Sequence, residues 1–247
     1  MFSIVKEHVG AKKLTPTNIP HVLNDHQKRS RVNACAAFLS TYNRQPNAFL
    51  ACIFTCDETW LSIYETLSRT ESMKWVTSRE QLSKKPTSQR NDAKVMANVF
   101  WDSREIIKIF WMPPGQTVNG EVYRNQLREI APLVGPRRPP NVRRKPLFLH
   151  NNARPHVAEE TMQLIQELGW GLIQHPPYSP DLAPSDYFLF KNLKQYLRGR
   201  RFESISELIA ETEAYFASQP ESWYRAGIAE LPTRYQRCLA SRGDYLT

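Results

Sequence analysis

Three polar residues lie where core segments of the chain begin or end, and their types suggest metal chemistry. Asp57 closes an apolar run and is followed by Glu58, Asn151 follows the apolar run 147–150, and Asp186 opens a helical stretch after PPYSPDLAPS. The 34 residues between Asn151 and Asp186 can hold a helix, a strand and a loop, which would bring both tips together. Carboxylate oxygens are ligands that Mg²⁺ prefers. The ends of strands are where α/β folds place their binding sites.

The elements that must position these residues follow from the apolar pattern. Continuous or alternating apolar runs predict strands at 49–60, 73–79, 93–102, 106–112, 147–150 and 170–175. Helical spacing predicts helices at 26–44, 117–134, 158–169 and 186–199, with two more at 204–219 and 232–243. Strands first, and then alternating strand and helix, predict an α/β fold with a mixed sheet flanked by helices.

The charge balance favours a polyanionic partner. Lys and Arg number 33 against 24 Asp and Glu, a formal net charge of +9. Such an excess most often indicates nucleic acid, although a basic soluble protein can share it. No apolar run approaches the length of a membrane span, so no membrane partner is expected.

The cysteines give no sign of a metal or disulfide framework. Cys35, Cys52, Cys56 and Cys238 form neither a CxxC pair nor a Cys/His ligand set. We interpret them as small buried hydrophobic residues of a reducing compartment. Cys52 and Cys56 are four apart on a predicted strand and are expected to face the same side.

Several stretches together resemble one family, the mariner branch of the Tc1/mariner transposases. They are TCDETW, KVMANVFWD, GQTVNGEVYRNQL, HNNARPHVA, PPYSPDLAPSDYFLF and WYRAGIAELPTRYQRCLASRGDY. The YSPDLAPSDY block is the most specific, and the resemblance covers essentially the whole chain. It implies an RNase H-like catalytic domain, cut-and-paste DNA transposition with cleavage and strand transfer, a homodimer, and action in the nucleus.

The resemblance also implies a catalytic Asp, Asp, Asp triad, whose positions here are Asp57, Asn151 and Asp186. Such a site holds two Mg²⁺ (or Mn²⁺) ions about 3.5–4 Å apart, which stabilise the attacking and leaving oxygens. Asp57 and Asp186 are the expected metal ligands. Asp181 matches the family's SPD acid and is expected to brace its turn by accepting an N–H, and His156 is expected to pack or hydrogen-bond.

Asn151 departs from the family at the second triad position. Its side chain offers one neutral carbonyl oxygen and an NH₂ donor in place of a carboxylate. The site therefore loses one negative charge and, by prediction, one metal ion, and such a loss commonly costs several orders of magnitude in rate. Asn is also suited to holding a strand-to-turn corner through bonds to nearby backbone.

The resemblance divides the chain into three parts. Residues 1–23 match the end of a second helix-turn-helix unit and a linker motif, a short helical remnant; 24–48 match a linker helix; and 49–247 match the catalytic domain. Members of the family read their terminal inverted repeats with two such units, so specific binding to a repeat is expected to be lost. Salt-sensitive, non-specific DNA binding is expected to remain. An upstream reading frame that supplies the missing reader is the other interpretation.

Two basic segments are candidate DNA contacts. Residues 64–93 match a clamp-like insertion that reaches the partner subunit in the family, and the Pro- and Arg-rich stretch GPRRPPNVRRKP follows a predicted helix. Solvated loops are the alternative for both. The candidate residues are Lys84, Lys85, Arg90, Arg137, Arg138, Arg143 and Arg144.

Single side chains outside these segments carry further expectations. Arg31, with its neighbours Lys28 and Arg29, predicts a basic helix surface, either solvated or in contact with DNA. Trp60, Trp101 and Trp111 are expected in the core.

Two hypotheses from different classes follow for the whole chain. The first is a metal-dependent transposase that is catalytically impaired. The second is a non-catalytic, DNA-binding and dimerising remnant or domesticated module. Restoring an acid at Asn151 separates them, because only a defect confined to that position is repaired by the change.

Overall fold

The computed structural model describes residues 19–64, 93–137 and 145–246. The predicted strand 73–79 and most of the predicted N-terminal remnant lie outside these residues. The strands are β1 Ile53–Ser62, β2 Lys94–Asp102, β3 Ile106–Trp111, β4 Leu147–Leu149 and β5 Gly171–Leu172. The helices are α1 Asp25–Tyr42, α2 Pro46–Leu50, α3 Gly120–Val134, α4 Arg154–Val157, α5 Glu159–Glu167, α6 Lys191–Leu197, α7 Ile205–Ala217, α8 Glu221–Ala229 and α9 Leu231–Ala240. Two short 3₁₀ helices, Gly135–Arg137 and Pro180–Leu182, and a π-helix, Ser185–Phe190, complete the described elements.

The strands form one mixed sheet in the order β3-β2-β1-β4-β5. β1 to β3 form an antiparallel meander, while β4 and β5 run parallel to β1. This confirms the predicted mixed sheet flanked by helices. Across the described part of the chain, no helix is both long and apolar enough to cross a membrane.

The side chains of β1 point alternately to the two faces of the sheet, and each face carries its own part of the core. Ile53 and Leu61 pack with α1, the π-helix and α6 to α9 on one face. Phe54 and Cys56 pack with α3 and α5 on the other. Since successive strand residues point to opposite faces, Asp57 belongs to the first face, which carries the π-helix.

Most elements differ from the prediction by a few residues at their ends, and three of the differences concern the strands around the site. β1 begins at Ile53 and not at Phe49, because Pro46 starts a short helix that takes in Phe49. β4 ends at Leu149, so that His150 already lies in the turn. The predicted strand 170–175 is reduced to Gly171–Leu172.

The helix α8 was missed because it contains Gly227, a weak helix former. A Cβ at this position would lie 2.5 Å from Cδ1 of Phe188, so glycine allows α8 to approach the π-helix closely. Gly227 therefore weakens the helical pattern but allows close packing against the π-helix that carries Asp186.

Three predictions about single side chains are wrong. Cys52 precedes β1 and packs on the opposite face from Cys56. Trp60 is 37% exposed, with Nζ of Lys94 4.5 Å from the ring centroid, and is not a core residue. Arg31 is fully buried and forms no surface. Trp101 is buried as predicted, whereas Trp111 is half-buried and donates its N–H to Glu213.

Arg31 fastens the proline-rich loop that leads to Asp186. Its Nη1 and Nη2 donate to the two carboxylate oxygens of Asp181 at 2.8 and 2.6 Å. Nη1 also donates to Oγ of Ser179, and Nε donates to the carbonyl of Gly243 at 2.8 Å. Asp181 additionally accepts the N–H of Leu246 at 3.2 Å. Asp181 thus braces the loop through α1 and the C-terminal residues, and not through an N–H of its own turn.

His175 lies in the same loop and is buried. Its carbonyl accepts a hydrogen bond from Nδ2 of Asn152 at 2.7 Å. The pKa of His175 is lowered to about 4, chiefly by burial; the charge of Asp181 raises this pKa and that of Arg31 lowers it. The imidazole is therefore neutral in the folded protein at neutral pH.

Replacing Asp181 by Asn is expected to destabilise the fold by about 3 kcal/mol, because it leaves the buried guanidinium of Arg31 without its counter-charge. Urea denaturation of the natural and variant proteins measures the difference. Glu221→Gln, which breaks an exposed ion pair with Arg225, is the matched control and should change stability by less than about 0.5 kcal/mol. Equal, small effects of the two changes would contradict the anchoring role of Arg31.

The neutral His175 predicts a loss of stability in mild acid. Because its pKa falls on folding, the stabilising contribution is complete above pH 6.5 and is lost as the pH falls from 6.5 towards about 4. A His175→Gln variant should show a shallower dependence of unfolding free energy on pH in this window, by up to about one proton. If the free energy of unfolding depends on pH equally in the two proteins, His175 is not held neutral.

Candidate active site

The structure brings the three predicted site residues together at one end of the sheet. β4 ends at Leu149, opposite Thr55 of β1, so β1 continues past it with Asp57 two residues further on. Asn151 lies in the turn that follows β4, and Asp186 lies in the π-helix on the same face as Asp57. The early end of β4 leaves the space beside β1 into which the side chain of Asn151 projects.

Asn151 is hydrogen-bonded to Asp57. Its Nδ2 donates to Oδ1 of Asp57 at 2.8 Å, and its own Oδ1 accepts the N–H of Ala153 at 3.0 Å. The amide oxygen of Asn151 is thus engaged by the backbone N–H of Ala153, and its amide N–H points at the carboxylate of Asp57. Asn151 therefore holds the turn after β4, and its amide also contacts Asp57.

Asp57 is buried among like charges. It is 6% exposed, and burial raises its pKa well above the usual range, with repulsion from Asp186 and Glu58 adding to the shift. The N–H of Glu58, 2.9 Å from Oδ1, acts in the opposite direction. Asp57 in this state is a carboxyl group that a nearby positive charge would stabilise.

Asp186 is held by an unusual helical segment. π-helices are rare and occur frequently at functional sites. Trp101 of β2 donates its Nε1–H to Oγ of Ser185 at 3.0 Å, which ties the start of the π-helix to the sheet. Burial raises the pKa of Asp186 to about 6, while the charge of Lys194 lowers it.

A stack of rings lies on the opposite face of β1 and contacts Glu58. Nε2 of His156 lies 3.1 Å from Oε1 of Glu58. The His156 ring stacks on Tyr123 at 4.1 Å and on His150 at 5.2 Å between centroids. The Tyr123 hydroxyl in turn lies 2.9 Å from Nδ1 of His150. His156 packs and hydrogen-bonds, as predicted.

Glu58 is the site residue to which the sequence analysis gave no role. Its side chain is 18% exposed. The sequence signal was present, since an acid directly follows Asp57 within the strand. Strand alternation sends its side chain away from Asp186, which is why it did not stand out as a ligand.

The donor set suits one divalent cation better than two. Mg²⁺ binds through one or two protein carboxylates, and Asp57 and Asp186 provide two that repel each other. Asn151 directs an N–H donor, and not an oxygen, at Asp57. Within the described residues, no group of three or more His, Cys, Asp or Glu side chains is arranged to hold a metal ion.

Most of the candidate DNA contacts lie outside the described residues. These are Lys84, Lys85, Arg90, Arg138, Arg143 and Arg144. Arg137 ends the 3₁₀ helix after α3. Their role in DNA binding stays a prediction.

Two curated proteins resemble this chain closely. The Mariner Mos1 transposase of Drosophila mauritiana is 34% identical over 230 residues, which are 92% of this chain and 65% of the relative. Histone-lysine N-methyltransferase SETMAR of Homo sapiens is 33% identical over 240 residues, which are 97% of this chain and 34% of the relative. The chain therefore spans less than two thirds of either relative.

Solved structures agree with this likeness. The Mos1 transposase paired-end complex with left transposon end matches all of this chain and 71% of its own, with a TM-score of 0.89 and 32% identity, and the complex with Mn gives the same values. This chain belongs to the mariner family of transposases. A family model described as Transposase (partial DDE domain) matches residues 65–144. The mariner match also identifies the mixed sheet as an RNase H-like fold, as predicted.

Replacing Asn151 by Asp is expected to destabilise the metal-free mariner domain by roughly 2 kcal/mol, since a buried hydrogen bond is lost and a third like charge is added. Added Mn²⁺ should restore more stability to this variant than to the natural protein. Thermal unfolding in EDTA and in Mn²⁺ measures both effects.

Asn151→Ala is the matched control for that change, because it removes the bond to Asp57 without adding a charge. It should lose less stability than Asn151→Asp and gain no more from Mn²⁺ than the natural protein. An Asn151→Asp protein as stable in EDTA as the natural one would contradict the described site.

Proposed function

We propose that this chain is the catalytic part of a mariner transposase that binds DNA and one divalent cation, Mg²⁺ or Mn²⁺, and is impaired in DNA cleavage and strand transfer. The observation that carries the proposal is the hydrogen bond from Asn151 to Asp57. It places a donor where the family's chemistry needs an anionic oxygen.

The closeness of Asp57 and Asp186 supports the binding of a cation beside a scissile phosphate. A divalent ion supplies a Lewis acid for the phosphate and lowers the pKa of an attacking water. Asp57 and Asp186 would bind it, and the structure supports their placement. The N–H groups of Glu58 and Asn151 orient the carboxylate of Asp57, and the bond between Trp101 and Ser185 fixes the segment of Asp186.

The impairment of catalysis follows from the missing negative charge at Asn151. In phosphoryl transfer of this kind, one cation stabilises the attacking oxygen and a second stabilises the leaving oxygen. A neutral amide that donates towards Asp57 cannot help to bind the second ion. With one cation bound, the attacking and leaving oxygens would share one site of charge stabilisation, which would slow both cleavage and strand transfer.

The proposed partners are DNA and a second copy of the chain. The related Mos1 structures are paired-end complexes with transposon ends, and the net charge of +9 supports an anionic partner. We propose non-specific, salt-sensitive binding to DNA, a homodimer, and action in the nucleus.

A non-catalytic, DNA-binding and dimerising module is the second candidate. The same bond from Asn151 to Asp57 favours it, because the amide gives the carboxylate a partner without a cation. The two candidates differ in whether any metal-dependent cleavage remains and whether an acid at position 151 restores it.

Cleavage of a mariner repeat end in Mg²⁺ or Mn²⁺ should be slower in the natural protein than in Asn151→Asp, by about a thousandfold, as expected for loss of one member of a catalytic unit. A pre-cleaved end should be supplied in parallel to measure strand transfer alone. Asn151→Asp combined with Asp186→Asn is the inactive control.

Each outcome of this assay decides between the candidates. Equal rates for the natural and Asn151→Asp proteins would contradict the impairment. Slow cleavage by the natural protein that Asn151→Asp accelerates supports the impaired transposase. No cleavage by either protein, with folding verified by circular dichroism, would favour the non-catalytic module.

A further inference from the structure

The outer edge of β3 is open to pairing. β3 is the last strand of the sheet, with β2 on one side and, among the described residues, no strand on the other. The N–H of Met112 donates to the carbonyl of Met96 at 2.9 Å. Because antiparallel residues alternate between bonded and non-bonded pairs, the backbone groups of Ile109 and Trp111 point away from β2. Such a row of backbone groups can pair with another extended chain.

A hollow of about 540 Å³ lies beside this edge, on the face of the sheet that carries α7 and α8. Its apolar lining consists mainly of Ile106 and Ile109 of β3, Phe216 of α7 and Tyr224 of α8. The two isoleucines are half-buried, whereas Phe216 and Tyr224 are buried. Since the side chains of a strand alternate between the two faces of a sheet, every second side chain of a strand added to β3 would point towards this hollow.

The charged lining of the hollow is mainly acidic. Among the described residues that line it, Glu105, Glu213 and Glu221 are acids and Arg104 is the one base. Glu213 and Glu221 are exposed. A ligand that carries positive charge on either side of an apolar part is therefore complementary to the hollow.

The sequence of the two helices carries the same charge. Residues 202–224 contain five glutamates and no lysine or arginine, in a chain where Lys and Arg number 33 against 24 Asp and Glu. This stretch includes all of α7 and the start of α8. Acidic side chains repel the phosphates of DNA, whose binding depends on Lys and Arg. The charge of this surface thus favours a basic protein segment over nucleic acid.

We propose that the outer edge of β3 and the hollow beside it bind an extended, basic segment of another protein, which pairs with β3 as an added strand. The backbone of the segment bonds to Ile109 and Trp111. Apolar side chains at alternate positions fill the hollow, and lysine or arginine side chains on the same face lie near Glu213 and Glu221. This mode of recognition takes affinity from main-chain bonds and specificity from alternate side chains.

Fluorescence anisotropy with the labelled peptide Lys-Thr-Val-Thr-Val-Thr-Lys tests the surface, because its lysines and valines share one face of a strand. The natural protein should bind it saturably. Glu213→Gln combined with Glu221→Gln should bind it about fivefold more weakly, as expected for two exposed charges, and the glutamine at 213 can still accept the indole N–H of Trp111. Glu129→Gln is the matched control, since it alters an exposed acid paired with Lys108, and should bind like the natural protein.

N-methylation of the peptide separates strand pairing from general attraction between charges. A paired strand directs the N–H groups of alternate residues to its neighbour. Methylation of the valine nitrogens in one peptide, and of the threonine nitrogens in another, should therefore abolish binding of one peptide and preserve binding of the other. Equal affinities of the two methylated peptides for the natural protein would overturn the strand pairing.

Labelled duplex DNA decides between a protein and a nucleic-acid partner for this surface. The double variant should bind the duplex at least as tightly as the natural protein while it binds the peptide more weakly. Tighter binding of the duplex with unchanged binding of the peptide would show that the acids only keep DNA away, and would overturn the proposal. Absence of peptide binding by the natural protein, with folding verified by circular dichroism, would overturn it as well.

Discussion

The hydrogen bond from the amide of Asn151 to the carboxylate of Asp57 is the interaction on which the site depends. Asp57 is buried beside Asp186 and Glu58, and a buried carboxylate needs a positive or donating partner. In a triad of three acids, cations fill this need. Here the N–H donor of Asn151 fills part of this need without a metal ion.

The scaffold places this interaction through a few structural devices. The early end of β4 beside β1 leaves space for the turn that carries Asn151. The buried guanidinium of Arg31 fixes the loop before Asp186 through Asp181, and the bond between Trp101 and Ser185 fixes the π-helix. The mixed sheet, the anchored loop and the π-helix are therefore parts of one arrangement that brings Asp186 to the same end of the sheet as Asp57.

Much of this arrangement could be predicted from the sequence. Apolar runs located the central strands, and the family motifs placed Asp57, Asn151 and Asp186 at one site. Properties that depend on three-dimensional neighbours escaped prediction. Arg31 has the pattern of a surface cation, because its partner Asp181 is distant in the sequence. Gly227 weakens the helical pattern of α8. The π-helix has no sequence pattern that separates it from an α-helix. Glu58 was given no role because strand alternation turns its side chain to the face away from Asp186.

The proposed loss of one cation is tested most directly by anomalous diffraction from crystals soaked in Mn²⁺. The natural protein should show a single Mn²⁺ peak, bound by Asp57 and Asp186, and crystals of Asn151→Asp should show a second peak beside it. Two fully occupied Mn²⁺ ions in the natural protein would contradict the claim that the amide at position 151 excludes the second ion.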